Sequence, residues 1–188
     1  MIFNLMTALV ILFASISTSS EQAHLPDSSL YQLHSQWTSD VGTKMKLENL
    51  RGKARVLTLF FGHCESSCPM VVTTLKTMES VLPKGWNGKA GIVLVSLDPK
   101  RDDVESLSEY RKRMSLAKDS WTLLRGKEQD TRELAMALGV AYKPSKDNGG
   151  MDHNAVIVVL DKDGRIVARH EGAVESQVLA DELNAAIK

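Results

Sequence analysis

The chain holds two cysteines, Cys64 and Cys68, inside the run Phe60-Phe61-Gly62-His63-Cys64-Glu65-Ser66-Ser67-Cys68-Pro69. The spacing is C-x3-C, one residue longer than the C-x2-C of common disulfide exchangers. Positions four apart on a helical turn lie about 6 Å apart, so the pair can close a disulfide. The same spacing lets two thiolates splay around a metal ion. An inert structural bridge is a third use and a poor one, because closing so short a loop removes little chain entropy. Both sulfurs fall between an apolar strand-like run and a helix start, where free amide N–H groups and the positive end of the helix dipole favour thiolate over thiol. Glu65 opposes that effect by placing a carboxylate beside Cys64.

Five histidines surround this pair in sequence at very different distances. His24 and His34 lie in a polar segment and His170 ends a strand-like run among charged neighbours; all three read as surface residues. His63 abuts Cys64, where it can act as a ligand or tune the thiol. His153 ends a Gly-rich loop at the mouth of a buried strand, the kind of position that borders the ligand crevice of an α/β sheet. Met70 and Met151 flank the same two segments. Their thioethers suit soft Cu(I), but methionine in such positions is usually plain packing.

These residues need a framework to bring them together. Ala54 to Phe61 and Gly91 to Leu97 are short, nearly continuous apolar runs, as expected of strands buried on both faces. Between them Val71, Leu75, Met78 and Leu82 recur at helical spacing, with Pro69 in the first turn and Pro83 and Gly85 as the stop. Asp102 and Asp103 stand where anionic residues favour a helix start, ahead of Val104, Leu107, Tyr110 and Met114. Trp121 to Leu124 reads as a third strand. Asp130 to Glu133 resembles a capping box opening a helix that Gly139 ends. Residues 141–152 read as a loop. Ala155 to Leu160 and Arg165 to Arg169 form a hairpin over Asp161 to Gly164, and a closing helix runs through Val178, Leu179, Leu183, Ala186 and Ile187. Trp37 to Leu50 carries the turn residues of a short hairpin. The order β-α-β-α-β-α-β-β-α predicts an α/β domain with a mixed central sheet flanked by helices, a thioredoxin-like arrangement with an N-terminal hairpin extension.

The 188-residue length suits one domain plus an extension, and 43% hydrophobic residues exclude a disordered chain. Lys+Arg and Asp+Glu both number 23, leaving no basic excess for a nucleic acid. Leu5 to Ile16 (LMTALVILFASI) matches a secretory h-region of roughly 7–15 residues better than a membrane span of about 20. No Lys or Arg precedes it, and no cysteine lies near it to carry a lipid. Residues 1–20 are thus expected to be an export signal or membrane anchor, 21–36 a linker, and 37–188 the domain. Export places the thiols in an oxidising space, periplasmic, with the protein soluble or held to the inner membrane through residues 5–16.

With those residues in view, the chain from about Leu30 to its C-terminus resembles the Sco (SenC) family of copper-handling assembly proteins. Three segments carry the likeness. They are Cys64-x3-Cys68-Pro69 after a Gly-containing aromatic strand end, Asp98-Pro99-Lys100-Arg101-Asp102 after the second core strand, and Asp152-His153 before a strand closing in Leu160-Asp161-x-x-Gly164. The resemblance implies a thioredoxin-like fold with Cys64, Cys68 and His153 as ligands of copper, as Cu(I) and in a second form Cu(II). It implies as partner the cytochrome c oxidase subunit carrying the CuA centre, which would receive copper or have its thiols reduced, or else another copper- or thiol-bearing protein. The family commonly has Pro-Asp where this chain has Glu65-Ser66, a departure that bears on Cu(II) affinity and redox poise.

Two thiolates and an imidazole suit Cu(I), whereas structural zinc takes four ligands. Metal binding and disulfide formation compete for the same sulfurs. The competing expectation is therefore an enzyme, a periplasmic thiol–disulfide oxidoreductase with Cys64 attacking and Cys68 resolving. A peroxide-reducing enzyme, with Arg101 or Arg125 in its pocket, fits less well because its nucleophile motif is absent.

Overall fold

In the computed structural model of the chain, residues 24–63, 67–145 and 151–188 are described, with 67–69 described by backbone alone. The expected export segment and Cys64 lie outside the described residues. The sheet is built as the hydrophobic pattern predicts. β1 (Trp37–Ser39) and β2 (Lys44–Met45) form the N-terminal hairpin, with Gly42 at φ 80 in its turn. β3 (Ala54–Phe60) leads into α1 (Ser67–Val81), then β4 (Ala90–Ser96) into α2 (Val104–Met114), then β5 (Trp121–Arg125) into α3 (Glu128–Leu138). After these come two short strands, β6 (Tyr142–Pro144) and β7 (Met151–His153). The hairpin of β8 (Val156–Leu160) and β9 (Ile166–Glu171) and the helix α4 (Ser176–Ala186) complete the chain.

Seven strands make one sheet in the order β2-β1-β5-β4-β3-β8-β9. β3, β4 and β5 are parallel, while β8 and β9 at one edge and the β1–β2 hairpin at the other run antiparallel to their neighbours. This is the mixed, thioredoxin-like sheet that the element order called for. The central strands alternate between two cores. Val56, Ile92, Leu94, Ile157 and Val159 face α1, α2 and α4, and Leu57, Leu59, Val93, Val95 and Val158 face α3. Both faces are dry, which is why the strands read as unbroken apolar runs. Each fully buried Leu, Ile or Val contributes roughly 1.5–3 kcal/mol relative to exposure.

Three local differences from the sequence reading have identifiable causes. Leu30 and Tyr31, in the segment read as a polar linker, are buried against the α3-side core, and the Leu30 N–H donates to the Gly164 carbonyl at 2.9 Å. Gly164 permits that approach, since a Cβ there would fall 2.5 Å from the Tyr31 ring. Residues 142–144 and 151–153, read as loop, pair antiparallel. α3 starts at Glu128 rather than after Asp130: Lys127 is the N-cap, and the Asp130 carboxylate reaches back to accept the Lys127 N–H at 3.4 Å. Of the two acidic residues expected at the start of α2, Asp103 is the cap, accepting the Ser106 N–H at 2.8 Å, a bond that also holds its carboxyl below the ordinary range.

Candidate metal centre

The sheet topology gathers the chemistry at one edge. β3, β4 and β5 end on the same side because they are parallel, and β8 begins there because it is antiparallel to β3. The chain leaves β3 through Gly62 and His63 toward the cysteines, and Cys68 lies in the first turn of α1. It enters β8 from His153. The β3–β8 ladder reaches as far as Thr58 and Ile157, and His153 lies just beyond it in the β6–β7 pair. Residues about 90 positions apart in sequence thus leave or enter neighbouring strands at one sheet end, where α/β sheets place ligands.

His153 is positioned by its hairpin. It pairs with Tyr142, and Met151 pairs with Pro144, so these four residues share one hairpin face. The His153 Nδ1 lies 3.1 Å from the Asn154 carbonyl oxygen. A carbonyl only accepts, so the hydrogen sits on Nδ1 and the lone pair on Nε2, the tautomer that ligates a metal. Asn154 in turn fastens the base of the hairpin. Its Oδ1 accepts the Ala141 N–H at 2.8 Å, and its Nδ2 donates to the Glu171 carboxylate at 3.0 Å and the Gly139 carbonyl at 3.3 Å. The Asn154 and Arg169 donors hold the Glu171 carboxyl below its ordinary range.

The corner before the cysteines is organised around Asp102, which is 1% exposed. One of its oxygens accepts the Gly62 N–H at 3.1 Å and the Ser96 hydroxyl at 2.5 Å; the other lies 3.1 Å from the His63 Nδ1. Arg125 donates to the Asp102 carbonyl at 2.9 Å and to the Pro99 carbonyl, Arg113 donates to the Gly62 carbonyl at 3.0 Å, and Arg101 pairs with Asp98. The Arg101 guanidinium also lies 4.7 Å above the Phe61 ring. The Asp98-to-Asp102 segment therefore acts as a scaffold for Phe61, Gly62 and His63, the residues that precede the cysteines.

Of the expected ligands, the structure describes His153 in full and the backbone of Cys68. Among the described residues no cluster of three or more His, Cys, Asp or Glu is placed to hold a metal. His24 and His34 are exposed, as expected of surface residues. His170 is half-buried and bonds Glu182 at 2.7 Å. Met151 packs against the α1-side core, but Met70 is 72% exposed and packs no core. Arg125 is tied to backbone carbonyls and Arg101 to Asp98, so both serve as struts of the scaffold. Asp102 and Asn154, whose hydrogen bonds hold Gly62 and His153 in place, are the positioning residues that sequence reasoning missed. Asp102 stood in the quoted Asp98-to-Asp102 motif, while nothing in the pattern marked Asn154. Beside the site opens a cavity of about 520 Å³, whose walls include Leu97, Pro99, Arg101, Thr131, Tyr142 and Met151.

The donor chemistry fits copper: an imidazole held in its ligating tautomer enters the sheet edge from which a two-thiol corner departs, a soft sulfur–nitrogen set. Comparison with known proteins leads to the same group. The SCO1 protein homolog of Bacillus subtilis is 25% identical over 134 residues, covering 70% of this chain and 68% of that one. Alignments with the curated relatives span between 38% and 68% of those proteins' own lengths. Among solved structures, Bradyrhizobium japonicum ScoI with copper bound superposes with a TM-score of 0.65 at 24% identity, covering 81% of this chain and 96% of that one. The structure of BsSco, a member of the Sco family of cytochrome c oxidase assembly proteins in which a disulfide switch is identified, superposes with a TM-score of 0.70 at 20% identity. That match covers 87% of this chain and 97% of the other. With residues 26–188 matching the family as a whole, the chain belongs to the SCO1/SenC family.

Proposed function

We propose that this chain is an exported copper-handling assembly factor. It binds copper through Cys64, Cys68 and His153 and delivers it to the CuA site of cytochrome c oxidase, or reduces the thiols of that site. The supporting observation is the meeting of two segments at one sheet edge, the C-x3-C helix start after β3 and His153 before β8, in a chain of the SCO1/SenC family. Three ligands on two segments leave one side of the ion open. A donor needs that opening, because an acceptor's cysteine or histidine must bind before the donor lets go. Nδ1 of His153, tied to the Asn154 carbonyl, keeps the imidazole oriented while Nε2 engages or releases the ion. The helix start favours the thiolates that copper requires. The apolar stretch Leu5 to Ile16 supports export, with the protein free in the periplasm or held at the membrane.

Anaerobic titration of the reduced protein with Cu(I) tests this reading. One ion per chain is expected. His153→Ala should weaken binding by more than about a hundredfold, the upper range for losing even an outer-shell partner. Unchanged affinity in that variant overturns the ligand set.

A second reading, thiol–disulfide reduction by Cys64 with Cys68 resolving, draws on the same helix-start thiols and on the disulfide switch identified in BsSco. It predicts that insulin reduction survives His153→Ala and is abolished by Cys64→Ser.

A further inference from the structure

The three-residue ligand set leaves His63 without a role, yet its ring nitrogen is fixed against the buried carboxylate of Asp102. Asp102 is 1% exposed, and its surroundings consist of donors: the Gly62 N–H, the Ser96 hydroxyl and the His63 ring nitrogen. A carboxylate only accepts, so the hydrogen of His63 sits on Nδ1 and its lone pair on Nε2. With Nδ1 against a buried carboxylate and the side chain 49% exposed, Nε2 is the outward edge of the ring. Among the described residues Nε2 has no hydrogen-bond partner. The Phe61 ring, 5.8 Å away between centroids, backs the imidazole on the protein side. A metal-ligating histidine almost always donates its second ring N–H to a carboxylate, carbonyl or water, an arrangement that fixes the tautomer and raises the basicity of the ligating nitrogen. His63 has that arrangement already built, one residue before Cys64.

We infer that His63 is a further copper ligand, serving the Cu(II) form through Nε2, and that Asp102 is the residue that positions it. The inference rests on the copper reading above and extends it. Two thiolates and one imidazole satisfy Cu(I), whereas Cu(II) takes a four-donor tetragonal set and favours nitrogen. His63 supplies the fourth donor from the exposed side.

The test uses the reduced full chain, titrated anaerobically with a Cu(II) salt and, separately, with Cu(I). Electron paramagnetic resonance of the Cu(II) form should show two coupled nitrogens in the wild type and one in His63→Ala. Cu(II) affinity should fall about 10–100-fold with Cu(I) affinity unchanged. Asp102→Asn discriminates the positioning role. The Gly62 and Ser96 donors keep the amide oxygen on their side, so the amide NH2 must face His63. The imidazole then carries its hydrogen on Nε2 and cannot ligate. Asp102→Asn should therefore reproduce the one-nitrogen spectrum and add nothing further in a His63→Ala background. His63→Gln, which keeps a donor facing Asp102, guards against simple loss of folding and should behave as His63→Ala. An unchanged spectrum and Cu(II) affinity in His63→Ala overturn the inference, as does an Asp102→Asn effect that persists without His63. Failure of the wild type to bind Cu(I) would instead overturn the copper reading itself.

Discussion

Gly62 is a position where the structure leaves no room for a side chain. A Cβ built there would lie 2.5 Å from one Asp102 carboxylate oxygen, 3.1 Å from its carbon and 3.3 Å from the other oxygen. Asp102 cannot retreat without lengthening its bonds to the Ser96 hydroxyl and the Gly62 N–H, and overpacking of this kind costs about 1–3 kcal/mol. Replacing glycine by alanine also removes unfolded-state freedom, which stabilises by about 0.4–1 kcal/mol where the new side chain fits. Taken at the middle of each range, the two effects leave Gly62→Ala destabilised by about 1.3 kcal/mol. Gly88→Ala is the matched control, because a Cβ there meets nothing within 4 Å. With a urea slope of roughly 2 kcal/mol/M, the Gly62→Ala midpoint should fall by about 0.5–1 M at unchanged slope. The Gly88→Ala midpoint should stay or rise slightly. Equal midpoints for the two variants would refute the reasoning that Asp102 and Gly62 form one close-packed unit.

Other consequences reach the rest of the molecule. Asp40, just after β1, takes a two-pronged pair from the buried Arg111 of α2, whose remaining donors reach the carbonyls of Leu116, Ala117 and Trp121. Asp40→Ala leaves that guanidinium buried without its counter-charge and should cost about 3–5 kcal/mol in chemical denaturation. Thr131 has a buried hydroxyl with no partner among the described residues, so the near-isosteric Thr131→Val should raise stability by about 1 kcal/mol. A loss of stability there would show that the hydroxyl is satisfied. Burial pushes the Tyr31 hydroxyl up from 10.0 to about 12 against the opposing pull of Arg55. A pKa raised on folding contributes stability that is present below pH 10 and lost as pH rises toward 12. The wild type should thus lose about 2–3 kcal/mol across that window, and Tyr31→Phe should not show that loss.

What the sequence made legible was set by burial and period. The runs at 54–61 and 91–97 could be read because both faces of β3 and β4 are dry, and α1 because Leu75 and Met78 recur on one buried face. The β6–β7 pair was hidden. Tyr142-Lys143-Pro144 and Met151-Asp152-His153 are three residues each, too short for alternation to register, and a Gly-rich stretch separates them. Leu30 and Tyr31 were lost among polar neighbours, since two apolar residues make no periodic signal. Asp102 and Asp103 look alike in sequence. Only the fold separates the exposed cap from the carboxylate buried behind the cysteine-bearing corner. The ligand set itself came from family resemblance; spacing alone left a disulfide, a metal and a redox pair all open at Cys64 and Cys68. What the fold adds is that β3 ends and β8 begins at the same sheet edge, with His153 in the β6–β7 pair and only Asn154 and Ala155 between it and β8.

The most direct test of the central claim is X-ray absorption at the copper edge of the reduced, Cu(I)-loaded wild type beside its His153→Ala variant. The account predicts an edge characteristic of Cu(I), two sulfur neighbours and one imidazole nitrogen in the wild type, and loss of that nitrogen in the variant. A wild-type shell of sulfur alone, or an imidazole signal that survives the substitution, would contradict it.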